Sequence, residues 1–377
     1  MPPAPGQPLR ILHATRAPVG GIFRHIVDLA NGQAERGHLV GIVADSTTGG
    51  QRADEALAEL APRLKLGVHR IPIPRQPHPM DMMGAWRLSR LIKRLKPDVL
   101  HGHGAKAGAY IRAKSRNPDT IRVYTPHGGS LHYSPATLSG KFYAGLERAL
   151  RDRTELFLFE SAFARNAYLR MAGEPKGIVR LVFNGVTARE FDPVTMVSDP
   201  TDVVYVGEFR HIKGPDILID AIAKIRASGN PVTLTLAGDG EESEALKAQI
   251  ARLGLGDAIR LIGHVPARKG FAHGRLLVVP SRGDSMPYVA IEAAAAGIPM
   301  LATDVGGIPE ILAGHESGLI PSGNSSLMAQ AIEAALADPA AAVERATSLR
   351  QRIFLHFSQK ALVEGVMAGY RDAFAAL

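Results

Sequence analysis

Short apolar runs, each followed by a segment of helical period, recur along this chain, and that alternation limits its fold more than any other feature. Leu9 to Ala14 is such a run. It leads through TRAPVGG to a segment with Ile22, Ile26, Leu29 and Ala30 at i, i+4, i+7 and i+8, the spacing of a helix with one buried face. Gly37 closes that helix, and the run LVGIVA follows. The same unit recurs with a strand at Val68–Ile73 and a helix over about 81–96, then a strand from Asp98–Leu100 into HGHGAKAG. Later come a strand at Ile121–Thr125, a helix over about 139–152, and the strands ELFLFE and IVRLVFNGV. Strand–helix alternation of this kind predicts parallel sheets covered on both faces.

The alternation breaks once. FDPVTMVSDPTD at 191–202 is rich in Pro and Asp, has no period, and reads as a linker. It restarts with VVYVGEFRHIKGPDILIDAIAKIRASG and continues through VTLTLAGDG, AIRLIGHV and GRLLVVP. With 377 residues, two domains are expected: residues 1–192 and 198–360. The final segment, KALVEGVMAGYRDAFAAL, is helical with no strand to follow it. The chain has no cysteine, which excludes disulfides, thiolate metal sites and cysteine nucleophiles. No transmembrane segment and no signal peptide are expected, and the start, MPPAPGQPLR, reads as a tail.

Charge divides the chain as the alternation does. The net charge is +8, and residues 1–190 hold 28 Lys+Arg against 15 Asp+Glu, so the remainder is acidic. A basic half suits an anionic substrate, a membrane surface or nucleic acid. Its densest cations, Arg87, Arg90, Lys93, Arg94 and Lys96, lie on one helix whose apolar row is Leu88, Leu91, Ile92 and Leu95. They form either a solvated face or one that meets anionic lipid headgroups.

Candidate ligand groups sit where strands end. VPSRGDSMPYVAIEAAAAGIPMLATDVGGIPEIL, at 279–312, reads as strand end, loop, helix, strand and Gly-Gly loop. Asp284 lies in its loop and Glu292 in its helix, with Pro287 suited to the first helical turn. About 7.5 Å of helix rise separates Pro287 from Glu292. The N–H groups of Ser285 and Met286 are placed to meet an anion. Arg210 and Lys213 precede another helix and suit a diphosphate. Gly20-Gly21 opens the first helix. His127 follows a strand and precedes two glycines. Gly102, Gly104 and Gly108 resemble a dinucleotide fingerprint with one residue too many and no acidic partner. His101 and His103 form an H-x-H pair with no third ligand evident nearby, so no metal is expected.

Taken together these motifs resemble glycosyltransferase family 4, of GT-B fold. The marks are Asp284 and Glu292 with seven residues between, AAAAGIP at 293–299 and TDVGGIPE at 303–310. Supporting them are Gly20-Gly21, His127 in TPHG, Asn184-Gly185, and V-G-x-x-x-x-x-K-G at 206–214. The resemblance implies two Rossmann-like α/β domains facing a cleft, with the last helix, 361–377, crossing back to the first. It implies a retaining, metal-independent transfer of a sugar from a nucleotide-diphosphate donor to a glycan or lipid-linked acceptor. Cytoplasmic surface-glycan assembly at the inner membrane face is the expected setting, with no nucleic acid involved. Glu292 would bind the ribose and Asp284 the donor sugar. Lys213 and Arg210 would neutralise the diphosphate, while Gly20, Gly21, Gly207, Ser285, Met286 and Pro287 would approach the donor and His127 the transferred sugar. Two departures from the family form are Asp for the usual Glu at 284, and Glu208 where V-G-R is usual, which moves the arginine to 210. The competing readings are a GT-B epimerase or phosphorylase, an NAD(P)-dependent oxidoreductase, and a two-lobed solute-binding protein.

Overall fold

The computed structural model describes residues 6–114, 117–128 and 137–377, with Arg52, Leu138 and Ser139 in backbone only. Met1–Pro5, most of the expected tail, and Gly129, the second glycine after His127, lie outside the described residues. The chain forms two compact units, Met1–Gly185 with Gln359–Leu377, and Val186–Ser358.

The first unit is built on seven strands: β1 (Arg10–Thr15), β2 (Leu39–Asp45), β3 (Gly67–Ile71), β4 (Val99–His103), β5 (Ile121–Thr125), β6 (Leu156–Phe159) and β7 (Ile178–Leu181). They pair in parallel in the order β3-β2-β1-β4-β5-β6-β7. Side chains of a strand alternate between faces. One face, with Ile11, Val99, Ile121, Val123 and Leu156, packs on Leu29 of the helix Gly20–Glu35 and on Leu362, Val363, Val366, Met367 and Tyr370 of the last helix, Gln359–Ala375. The other face, with Leu12, Ala14, Val43 and Leu100, packs on Leu88 and Leu91 of the helix Met80–Leu95 and on Ala107 and Ile111 of the helix Gly104–Arg112. The segment that follows no strand of its own thus supplies a cover for the first sheet.

Two glycines of the dinucleotide-like turn have a packing explanation. A Cβ on Gly102 would lie 2.7 Å from Gly108 Cα, and one on Gly108 would lie 2.3 Å from the Tyr124 ring. They let the helix Gly104–Arg112 lie directly on β4 and β5. Only Gly104, with φ +72° and open space around it, faces away from such a contact.

The second unit has six strands: β8 (Thr201–Val206), β9 (Leu234–Ala237), β10 (Ile259–Gly263), β11 (Gly274–Val279), β12 (Met300–Thr303) and β13 (Leu319–Ile320). These are also parallel, in the order β10-β9-β8-β11-β12-β13. Its core joins Val203, Leu234, Leu236, Leu276 and Val278 to Leu218, Ile222 and Ile225 of the helix Pro215–Ala227. In both units the strand order reverses beside the first strand, between β1 and β4 and between β8 and β11. Open parallel sheets bind ligands at the carboxyl ends of strands at that reversal.

The first unit also buries an ion pair. Arg112 Nη1 lies 2.6 Å from Glu147 Oε2, Tyr124 Oη donates to Glu147 Oε1 at 2.9 Å, and the guanidinium sits 3.7 Å from the centre of the Tyr124 ring. Both charged side chains are almost wholly shielded from solvent. Arg112→Met strands the Glu147 carboxylate and is expected to cost about 3–5 kcal/mol. A shift in the urea midpoint reads that cost, and an unchanged midpoint would contradict it.

Candidate active site

In the second unit, two loops leave the reversal point. The loop after β8 runs through Gly207 to a short 3-10 turn, His211–Lys213, and turns at Gly214 with φ +69°. The loop after β11 runs from Pro280 to Pro287 and enters the helix Tyr288–Ala295. Glycines allow these loops to touch. A Cβ on Gly214 would lie 2.1 Å from the Pro280 carbonyl oxygen, and one on Gly306 (φ +61°) only 1.5 Å from that of Asp284. Gly307 N–H donates to the same Asp284 carbonyl at 3.1 Å. The Gly-Gly segment after β12 therefore serves to hold the Asp284 loop, and any side chain at 306 would displace it.

Held this way, Asp284 accepts a hydrogen bond from the Lys213 ammonium, and the pair is mostly shielded from solvent. Glu292 is buried on the helix Tyr288–Ala295, and Met286 is buried in the loop before it. Pro287 caps that helix in an extended conformation, φ −72° and ψ 123°, one residue earlier than a first-turn position. Gly207 lies against Tyr205, and the Gly207 carbonyl lies where a Cβ on Gly238 would fall.

Arg210 is not drawn into this cluster. It is half-exposed, with Nε 3.4 Å from Glu241 Oε1 and Nη1 3.7 Å from Glu208 Oε2. Glu208 stands where the family form has Arg, and Arg210 is within ion-pair distance of it. The cation that braces the loop is one the sequence reading did not single out. Arg282 donates to His211 O at 2.6 Å and forms a two-pronged pair with Asp216 at 2.8 and 2.5 Å. Its only signal was a cation two residues before Asp284.

The first unit gathers histidines at its own reversal point. His13 of β1 stands opposite His101 of β4, and Thr15 opposite His103. The H-x-H pair therefore does have imidazole neighbours, contrary to the sequence expectation. His13, His101 and His103 bring ring nitrogens within 4.8 Å of one another, as do His25, His103 and His127. Hydrogen bonds account for the first trio. His13 Nε2 meets Gln33 Oε1 at 2.8 Å and its Nδ1 meets His103 Nε2 at 3.0 Å. His101 meets Tyr370 Oη and Thr125 Oγ1, both at 2.8 Å, and His103 Nδ1 meets His127 Nε2 at 3.0 Å. Every ring nitrogen of the trio has a partner, so a metal would have to displace those bonds. Asn184, of the Asn-Gly motif, bonds His25 Nδ1 at 3.0 Å. His127 adopts φ +53°, the left-handed region that non-glycine residues seldom occupy.

Beside His103 opens a cavity of about 370 Å³. Its polar lining includes Arg16, Arg75 and the pair Lys106–Asp81 (2.7 Å), and its apolar lining includes Phe142 and Leu146. Gly20, at φ +71°, starts the helix Gly20–Glu35 with open space where a Cβ would be.

Two parallel α/β units, each with polar groups at the reversal of its strand order, are the architecture of the GT-B fold. Residues 19–190 match the model "Glycosyltransferase Family 4" and residues 200–338 the model "Glycosyl transferases group 1". The chain is 27% identical to a glycogen synthase of Mycobacterium tuberculosis, over 94% of this chain and 92% of that one. Its fold matches Anabaena HepE, solved in complex with UDP, with a TM-score of 0.78 at 19% identity over 98% of this chain and all of that one. It likewise matches sucrose-phosphate synthase of Thermosynechococcus elongatus, with a TM-score of 0.81 at 22% identity over 97% and 99%. The chain belongs to the family 4 glycosyltransferases and is a transferase enzyme.

Burial holds the histidine cluster neutral. His13 and His25 are pulled from 6.5 to about 4, chiefly by loss of water, although hydrogen bonds to the amide oxygens of Gln33 and Asn184 oppose the shift. Burial also puts His101, His103 and His127 well below the ordinary value, with neighbouring imidazoles adding to the effect. Below about 6.5 the unfolded chain takes up these protons and the folded unit does not, so stability falls as pH drops toward 4. For His13 and His25 the loss is on the order of 1 kcal/mol per pH unit in that window. Unfolding midpoints measured from pH 7 to pH 5 are expected to fall, and a flat profile would contradict neutral burial.

Proposed function

We propose that the protein is a retaining glycosyltransferase that moves a sugar from a nucleoside-diphosphate donor to an anionic or lipid-linked glycan acceptor in cell-envelope synthesis. The observation that carries the donor reading is the Lys213–Asp284 pair, held by tight glycine turns at the reversal of the second sheet. A diphosphate takes the ammonium, and the released carboxylate takes sugar hydroxyls. Glu292 accepts the ribose hydroxyls, and the N–H groups of Ser285 and Met286, at the entry to the helix Tyr288–Ala295, meet phosphate oxygens. A UDP-sugar is the first donor to test, since UDP occupies the solved Anabaena relative.

In the reaction the bond from the sugar carbon to the phosphate oxygen breaks, and a bond to the acceptor oxygen forms on the same face. The acceptor proton passes to the leaving diphosphate. Lys213 stabilises the negative charge that develops there. His127 accepts a hydrogen bond from the transferred sugar. The cavity beside His103, whose lining includes Arg16, Arg75, Phe142 and Leu146, suits an acceptor with both a charged and an apolar part.

The membrane reading rests on the helix Met80–Leu95. Met82 and Trp86 are exposed there, Met83 is partly so, and Arg90 lies 4.8 Å over the Trp86 ring, next to Arg87 and Arg94. No helix among the described residues is long and apolar enough to cross a membrane, so contact would be peripheral. Each cation adds about 1 kcal/mol near an anionic surface, and salt screens that attraction.

Three measurements test this reading. Lys213→Ala is expected to lower transfer by orders of magnitude while leaving the melting temperature within a few degrees of the parent, and near-normal turnover would dismiss the role. Release of nucleotide diphosphate only when acceptor is present would favour transfer over epimerisation. Vesicles rich in phosphatidylglycerol are expected to sediment the protein at low salt, release it at high salt, and blue-shift the emission of Trp86, the single tryptophan. Absence of binding at low salt would contradict the membrane contact.

A further inference from the structure

The column of imidazoles in the first unit has a direction. Gln33 Oε1 can only accept a hydrogen bond, and it lies 2.8 Å from His13 Nε2, so that nitrogen carries the proton. A neutral imidazole has one N–H, so His13 Nδ1 is an acceptor, and His103 Nε2, 3.0 Å away, must donate to it. His103 Nδ1 is then the acceptor for His127 Nε2, also 3.0 Å away. Among the described residues no hydrogen bond is recorded to the remaining nitrogen, His127 Nδ1.

The orientation of the Gln33 amide is fixed from its other edge. Its Nε2 faces Met367 Sδ at 3.8 Å, an atom that can only accept, and Tyr370 Oη at 3.5 Å. Both belong to the last helix, Gln359–Ala375. With its oxygen accepting there, Tyr370 donates to His101 Nδ1, and His101 Nε2 donates to Thr125 Oγ1, each at 2.8 Å. The two branches agree in direction.

We propose that His127–His103–His13 is a polarised hydrogen-bond relay whose tautomers are set by Gln33, so that His127 presents an unprotonated Nδ1 to the group it meets. His13, His103 and Gln33 are positioning residues. Burial of the cluster keeps the relay neutral near pH 7, because a proton on any member would lose its hydration. A hydroxyl that donates to His127 Nδ1 strengthens each N–H further along, since hydrogen bonds in a chain polarise one another. The amide of Gln33 cannot take the proton, so the chain polarises without conducting. The proposal rests on the glycosyltransferase reading only for the identity of the group that His127 touches.

The test is to label the full chain with 15N-histidine and record long-range 1H–15N correlations at neutral pH, with each imidazole assigned by replacing it with Asn. The relay predicts the Nε2–H tautomer at His13, His103 and His127. Gln33→Leu removes the terminal acceptor and is expected to give mixed tautomers at His13 and His127. Gln33→Glu keeps an acceptor and should keep the Nε2–H pattern. In transfer assays Gln33→Leu should lower kcat by about 100-fold, the order lost when one preorganised hydrogen-bond partner at a reacting group is removed. Its thermal stabilisation by UDP should stay at the parent level. An Nδ1–H signal at His127 in the parent protein would overturn the relay, as would unchanged tautomers in Gln33→Leu. So would stoichiometric zinc in the purified protein that is lost on His103→Asn. The tautomers are read without substrate, so failure of transfer alone would count against the glycosyltransferase reading and leave the relay to the spectra.

Discussion

The hydrogen-bonded pair of the Lys213 ammonium and the Asp284 carboxylate, 30% and 15% exposed, is the contact on which the site in the second unit turns. They come from loops 71 positions apart in sequence, joined only because β8 and β11 are neighbours at the reversal of the sheet. Everything around the pair serves that meeting. Gly214 lets one loop pass against Pro280, Gly306 lets a third loop press on the backbone of Asp284, and Arg282 ties Asp216 and His211 into the same turn. In the proposed reaction this cation and this carboxylate exchange each other for groups of the donor. A donor with two phosphates and several hydroxyls offers each of them a new partner.

The first unit uses the same topological position differently. Its reversal point collects imidazoles, and their charge is suppressed by burial instead of balanced by a counter-ion. The last helix closes this column by bringing Tyr370 and Met367 against Gln33 and His101. The final segment of the chain is therefore part of the polar framework around His127 as well as an apolar cover for the sheet.

Much of this was legible in the sequence. The strand–helix alternation follows from apolar period, and the observed helices Met80–Leu95 and Leu138–Arg151 lie within a residue of the expected spans. The loops with Lys213, Asp284 and Gly306 carry local signals, namely glycine at tight turns and polar residues at strand ends. What the sequence does not show is which strands are neighbours. His13 and His101 meet because β1 pairs with β4 in one register, a fact of strand order that no local spacing records, so the H-x-H pair seemed to lack company. Side-chain direction was equally hidden. Arg210 stands beside Lys213 in sequence, yet its side chain lies half-exposed near Glu208 and Glu241, a direction that sequence spacing does not record. The glycines at 102 and 108 looked like a nucleotide turn because close helix–strand packing and close phosphate approach both require a missing side chain.

The most direct test of the account is the affinity for a nucleoside diphosphate without sugar, measured by calorimetry on three proteins. If Lys213 exchanges Asp284 for phosphate, Asp284→Asn removes the competing carboxylate and should bind UDP more tightly than the parent, while Lys213→Ala should bind it more weakly. Equal UDP affinity in all three proteins, in a parent that does bind UDP, would contradict the exchange at the centre of the site.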